Sequence, residues 1–224
     1  MTDEVANNLH GVLSHLPEGV KLVAISKFHP AEKITSAYNE GQRVFGESHE
    51  QEIARKVEVL PNDIEWHFIG HLQTNKVKYI APYISMIESA DSLKLIKEIN
   101  KQAIKNNRVI DILLELHIAE EATKYGFSLD DVRELLSSGA LKEMTGVRVR
   151  GLMMMASNID DKSQIAKEFD VANEFFKELK RDYFMSEDSF DCRSWGMSHD
   201  YDIAVEHGSN MVRVGTAIFG EREY

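Results

Sequence analysis

Apolar runs and helical stripes alternate along the whole chain. Val5, Leu9, Val12, Leu13 and Leu16 recur at helical spacing and predict an amphipathic opening helix, stopped by Pro17-Glu18-Gly19. Residues 22–26 predict a buried strand, and 30–40 a helix with Gly41 as its stop. Strands are expected at 43–48, 64–70, 85–90 (the weakest), 109–118, 147–155, 193–198 and 211–220, the last including its turn. Between them, helices are expected at 49–60, from 72 to 80, after an Asp91 or Ser92 cap, at 129–138, along the stripe Ile165, Phe169, Ala172, Phe176 and Leu179, and at 200–206. Ile53, Val57 and Leu60 mark the buried face of the second of the inter-strand helices, and Leu93, Ile96, Ile99, Ala103 and Ile104 that of the fourth. The stretch 120–127, with Glu120 and Glu121, reads as a solvated loop.

Eight strands alternating with helices imply parallel βα units, and the count favours a closed (β/α)8 TIM barrel over an open sheet. No full eighth helix fits after Gly220, so the additional N-terminal helix is the candidate for its place. The barrel takes nearly all of the 224 residues, as one domain over 1–224.

Composition narrows the function. A net charge of −11 argues against a nucleic-acid partner, which needs a basic patch. Cys192 is the sole cysteine, which excludes an internal disulfide. No apolar run approaches the ~20 residues of a membrane span, and the acidic opening does not read as a signal peptide. The expectation is a cytoplasmic protein with no membrane partner.

A barrel gathers the C-terminal ends of its strands on one face, where ligands bind. Here those ends carry Lys27, Ser48, His71, Met153, Ser198, Arg213, Gly215 and Thr216. Ser198 precedes a predicted helix, and Gly215-Thr216 combines close backbone approach with a hydroxyl. Together, in the last two units, they point to a phosphate, although singly Ser198 reads as a helix cap and Gly215 as a tight turn. A lysine on the same rim points to Schiff-base chemistry. Its free pKa of ~10.4 must fall for it to attack a carbonyl, and apolar walls such as Val23 and Ile25, or a cation such as Arg213, would lower it. His67 and His71 lie across a strand end, which disfavours metal ligation, and both read as polar rim residues. The Met153-Met154-Met155 run reads as core or pocket wall.

These motifs have a family resemblance. Ala24-Ile25-Ser26-Lys27, Phe45-Gly46-Glu47, the run from Trp66 to Lys76, Gly151-Leu152-Met153, Gly196-Met197-Ser198-His199-Asp200 and the run from Val212 to Gly220 resemble the pyridoxal phosphate homeostasis proteins over nearly the whole chain. The resemblance implies a barrel like the N-terminal domain of alanine racemase. It implies pyridoxal 5′-phosphate held as an imine on Lys27, its phosphate on Ser198, Gly215 and Thr216, and Arg213 near the ring nitrogen. His71 and Met153 are expected nearby. The sequence departs from the family pattern at Ser48, where Asn is usual, and at Leu116-His117-Ile118-Ala119, where Val-Asn-Ile-Ser is usual.

The expected function is a carrier or buffer of the cofactor in intracellular homeostasis, without substantial turnover. Apo-enzymes are its expected recipients, and a monomer or weak dimer its expected state. A permanent cation at the ring nitrogen disfavours the protonated electron sink that amino-acid chemistry needs. The alternatives are a pyridoxal-dependent amino-acid racemase, with Tyr125 or His117 as opposing base in place of a second-domain residue, and a cofactor-free Schiff-base aldolase.

Overall fold

Asp3 starts the first helix: its carboxylate accepts the N–H groups of Val5 and Ala6, satisfying donors that the helix α1 (Glu4–His15) leaves open. In this computed structural model, which describes residues 3–118 and 125–221, α1 buries Val5, Leu9 and Val12 and turns Leu13 outward.

The chain then alternates strand and helix. The order is β1 (Lys21–Ile25), α2 (Ala31–Asn39), β2 (Val44–Glu47), α3 (Glu50–Val57), β3 (Glu65–Phe68), a 3-10 turn (Thr74–Lys76) running into α4 (Val77–Ile80), β4 (Met86–Ala90), α5 (Leu93–Lys105) and β5 (Ile110–Leu116). It continues with α6 (Leu129–Ser137), β6 (Val147–Met154), α7 (Lys162–Asp182), β7 (Cys192–Met197), α8 (Tyr201–Glu206), β8 (Met211–Val214) and α9 (Thr216–Phe219). Every strand pairs in parallel with the next, and β8 returns to β1 with Leu22 opposite Val212 and Val23 opposite Arg213. The eight described strands therefore form a closed (β/α)8 barrel, with α1 as the additional N-terminal helix.

Side-chain alternation sorts each strand into two sets. On β1, Leu22 and Ala24 face the helices and join the large outer core, while Val23 and Ile25 face the barrel interior. β4 is buried at every position, which is why it lacks the alternation that marks a half-exposed strand. Ser92 caps α5 by accepting the Leu95 N–H.

The eighth strand is shorter than its apolar run: the chain leaves β8 at Val214 and turns at once into α9. The helix α1 packs on α9 and α2, and Asn8 donates to the Ile218 carbonyl at 3.1 Å. The opening helix thus covers the seam that a longer eighth helix would cover. Glu120 and Glu121, expected in a solvated loop, and Ala119, part of the fifth-strand departure, lie outside the described residues.

Candidate functional site

The barrel interior mixes an apolar cluster with buried polar groups. Val23, Ile25, Val44, Met86, Leu113, Met153, Cys192 and Met211 pack together there. Among them are buried His67, Glu88, Glu115, Ser194 and Arg213. Glu88 on β4 reaches both β3 and β7, strands that are not neighbours, so its bonds cross the inside of the barrel. Its Oε1 lies 2.7 Å from His67 Nδ1, and its Oε2 accepts Ser194 Oγ at 2.6 Å. Arg213 donates through Nη1 to the Ser194 hydroxyl and carbonyl, both at 2.7 Å, and through Nη2 to the Met154 carbonyl at 2.9 Å.

Electrostatics follow from this packing. Burial pushes the Glu88 carboxyl up, but hydrogen bonding and charge from His67, with Arg213 and Ser194, hold it below the usual carboxylate range. Glu115 has no comparable support: burial and the Asp91 charge raise it to about 7, against the pull of Arg213. Burial in turn pulls the Arg213 guanidinium below its usual value, opposed by Glu88, Asp200 and Glu115.

Above this layer is the rim. Gly215 follows β8 and packs on the end of β1: a Cβ built there would stand 3.0 Å from the Ile25 carbonyl oxygen. Its N–H donates to Ser198 Oγ, just beyond β7, at 3.3 Å. Thr216 is exposed beside it. Lys27 comes two residues after Ile25, in the turn that leaves β1. The strand ends of β7, β8 and β1 thus bring Ser198, Gly215, Thr216 and Lys27 onto one arc. Arg213 and Met153 belong to the layer below, Met153 fully buried and in register with Ser194. Ser198 does not cap α8: that position falls to Asp200, whose carboxylate instead accepts the Met197 N–H at 2.5 Å.

The remaining two residues occupy the neighbouring arc. Ser48 follows β2, with its Oγ 3.2 Å from His49 Nδ1 and its backbone against Gly70. His71 is exposed; its Nδ1 lies 3.0 Å from Asp91 Oδ2, and its ring stacks on Tyr125 at 3.7 Å. His67 corrects the rim reading. At 2 % exposure it is an interior residue, because strand alternation turns it into the barrel, where Glu88 holds its Nδ1 at 2.7 Å. His117, the other candidate opposing base, has its Nδ1 buried without a hydrogen-bond partner among the described residues. Among those residues, no group of three His, Cys, Asp or Glu side chains is arranged to hold a metal.

Two groups escape a reading of the sequence by strand ends alone. One is the His67–Glu88–Ser194 set inside the barrel. The other is Glu47, Glu52 and Lys56 on the outer flank, in contact with the Lys27 turn. There burial pushes the Glu47 carboxyl up to about 7, against the Lys56 ammonium and the Ser26 hydroxyl. The sequence signals are a Glu closing an apolar strand and a Glu52–Lys56 pair one helical turn apart.

Fold and site together define the class. The family model for the alanine racemase N-terminal domain matches residues 1–223. A pyridoxal phosphate homeostasis protein of Aquifex aeolicus (strain VF5) is 41% identical over 205 residues, 91% of this chain and 88% of its own. One from Escherichia coli (strain K12) is 36% identical over 215 residues, covering 93% and 88%. The structure of PipY, a COG0325 family member from Synechococcus elongatus PCC7942, solved with PLP (pyridoxal 5′-phosphate) bound, superposes with a TM-score of 0.86 at 33% identity, over 96% of this chain and 100% of that one. Alanine racemase of Clostridium difficile 630 shares the fold, with a TM-score of 0.78 at 14% identity, over all of this chain and 58% of its own. The chain belongs to the pyridoxal phosphate homeostasis protein family.

Proposed function

We propose that this protein binds PLP at Lys27 and carries or buffers it in the cytoplasm, as a binding protein that does not turn over amino acids to any substantial extent. The observation that carries this reading is the packing of Gly215 on Ile25. It brings the hydroxyl- and glycine-bearing ends of β7 and β8 to the strand end that delivers Lys27. PipY, with PLP bound, and the homeostasis proteins among the relatives support the choice of ligand.

The donor set fits the ligand. Because Ser198 Oγ accepts the Gly215 N–H, its own proton remains available for an anion. Thr216 adds a second hydroxyl, and the glycine keeps the rim lined by backbone at that point. Val23, Ile25, Met153 and Met211 form an apolar wall below, with Arg213 the cation set among them. PLP supplies an aldehyde carbon that a neutral primary amine can attack, on an aromatic ring that also bears a phosphate. In this reading Lys27 provides the amine, Ser198, Gly215 and Thr216 hold the phosphate, and Arg213 faces the ring. Ser48, His71 and Met153 complete the surroundings. The permanent charge of Arg213 disfavours a proton on a nearby ring nitrogen, which weakens amino-acid chemistry without weakening binding. Apo-enzymes are the recipients in this reading, and the protein acts as a monomer or weak dimer. Among the described residues no helix is long and apolar enough to cross a membrane.

The test is direct. The purified protein is incubated with PLP, its visible spectrum recorded, and the mixture reduced with borohydride and digested. A visible band with the mass label on the Lys27 peptide, lost in Lys27→Ala, is the expected result. A label elsewhere, or amino-acid racemisation at ordinary enzyme rates, would overturn the reading.

A further inference from the structure

Three charged side chains, Lys56 and Glu47 buried and Glu52 part-buried, sit on the outer flank of the barrel against the turn that carries Lys27. Lys56, on α3, has its side chain 7% exposed, and Glu47, closing β2, is fully buried. Lys56 Nζ lies 2.7 Å from Glu47 Oε1, 2.6 Å from Glu52 Oε1 and 2.8 Å from the Ser26 carbonyl oxygen. An ammonium has three protons, and these three acceptors account for all of them. Ser26 Oγ also donates to Glu47 Oε1, at 2.6 Å, and the Phe28 N–H donates to Glu52 Oε1, at 2.6 Å. The residues before and after Lys27 are therefore tied to the same three charges, Ser26 through two bonds and Phe28 through one.

The turn is one that the chain would not choose locally. Phe28 has a φ of 66°, a left-handed conformation disfavoured for any residue with a Cβ. Phe28 is also 38% exposed, so core burial of its ring does not dictate that conformation. Buried ion groups are a weak source of stability, because desolvation offsets their attraction. Glu47 Oε2 adds to that cost: it is buried with no hydrogen-bond partner among the described residues. What the group does supply is a fixed backbone path on both sides of one residue.

We infer that Lys56, with Glu47 and Glu52, is a positioning group that fixes the Ser26–Phe28 turn and so sets the direction in which the Lys27 amine is presented. The inference rests on the proposed role of Lys27 and goes beyond it, because none of the three charges is assigned contact with ligand. A locked turn keeps the amine in one attack geometry, and a free turn spreads it over many.

The test uses the whole chain and two readouts. The first is amide hydrogen exchange at Ser26 to His29 in ligand-free protein. The second is the rate at which PLP becomes borohydride-fixable on Lys27. The double variant Glu47→Gln with Lys56→Met removes both buried charges together, and Glu52→Ala removes the acceptor of the Phe28 N–H at the more accessible edge. Both should speed Phe28 exchange and slow attachment at Lys27, each by at least tenfold. Glu52→Gln, which keeps an acceptor, should recover most of both. If the double variant fails to fold, the Glu52 pair decides alone. Wild-type attachment and exchange rates in the variants would overturn the inference. Absence of a Lys27 label in the unmutated protein would instead overturn the proposed function, and the exchange readout would still judge the turn.

Discussion

The Glu88 carboxylate and the Arg213 guanidinium lie 3.8 Å apart inside the barrel, bridged by the Ser194 hydroxyl, which donates to one and accepts from the other. On its other side Glu88 holds His67. One carboxylate thus compensates a fully buried guanidinium and fixes an imidazole. Removing it strips Arg213 of its largest counter-charge and leaves only the weaker pull of Asp200 and Glu115. Glu88→Ala should therefore cost ~3–5 kcal/mol of unfolding free energy. Glu88→Gln, which keeps an acceptor for Ser194, should cost less. Urea unfolding at neutral pH measures both, and a loss below ~1 kcal/mol for the alanine variant would show that the interior tolerates Arg213 unpaired.

Glu115 makes a different prediction, with the sign set by its burial. Its carboxyl is raised from 4.5 to about 7, so the folded chain holds a proton that the unfolded chain has already released. Its contribution to stability is full below about 4.5 and is lost as pH rises through about 7. Glu115→Gln should flatten that decline and give a higher Tm than the parent at pH 8, with little difference at pH 4.5. The upper bound on the gain is on the order of 3 kcal/mol. Glu88 works in the opposite sense, since its lowered carboxyl contributes stability that disappears only in acid. Parallel Tm profiles for parent and Glu115→Gln across this range would rule out the raised carboxyl.

The barrel was legible because its signals are local. Runs such as Leu22-Val23-Ala24-Ile25 and stops such as Gly41 mark strand and helix ends without knowledge of what packs on them. The rim residues could be gathered for the same reason, once parallel strands put their C-terminal ends on one face. Partnerships across the fold were not legible. His67 looks like a strand-end histidine until Glu88, on the next strand, is placed beside it inside the barrel. Lys56 looks like half of a solvated helical pair until α3 is laid over the end of β2, where its ammonium replaces water for Ser26 and Glu47. Ser198 invites a capping role, yet its oxygen is directed to the neighbouring strand end and Asp200 takes the cap position.

Gly215 should be sensitive in binding before it is sensitive in folding. Its φ of −121° lies outside the left-handed region that favours glycine, and the penalty of a side chain comes from contact. A Cβ would meet the Ile25 carbonyl at 3.0 Å and the Ile25 Cβ at 3.2 Å, forcing the β8 end away from β1. Gly215→Ala should weaken PLP binding by about tenfold, or ~1.4 kcal/mol, with a Tm change of only a few degrees. Spectroscopic titration and thermal unfolding of the same sample check the two halves. Unchanged affinity would remove this glycine from the phosphate end of the site.

Ser198 tests whether that end recognises phosphate as such. Its oxygen accepts the Gly215 N–H at 3.3 Å, so in the proposed site truncation would remove a donor to the anion and release the glycine amide at the same point. The two changes act in opposite directions on an anion, since the freed N–H can donate in place of the lost hydroxyl. A net loss of ~1 kcal/mol, several-fold in affinity, is expected for Ser198→Ala with PLP. Pyridoxal, which lacks the phosphate, should bind parent and variant equally. The informative quantity is the ratio of the two affinities, because a general distortion of the Lys27 end would weaken both ligands alike and leave that ratio fixed. A constant ratio would move the phosphate away from Ser198.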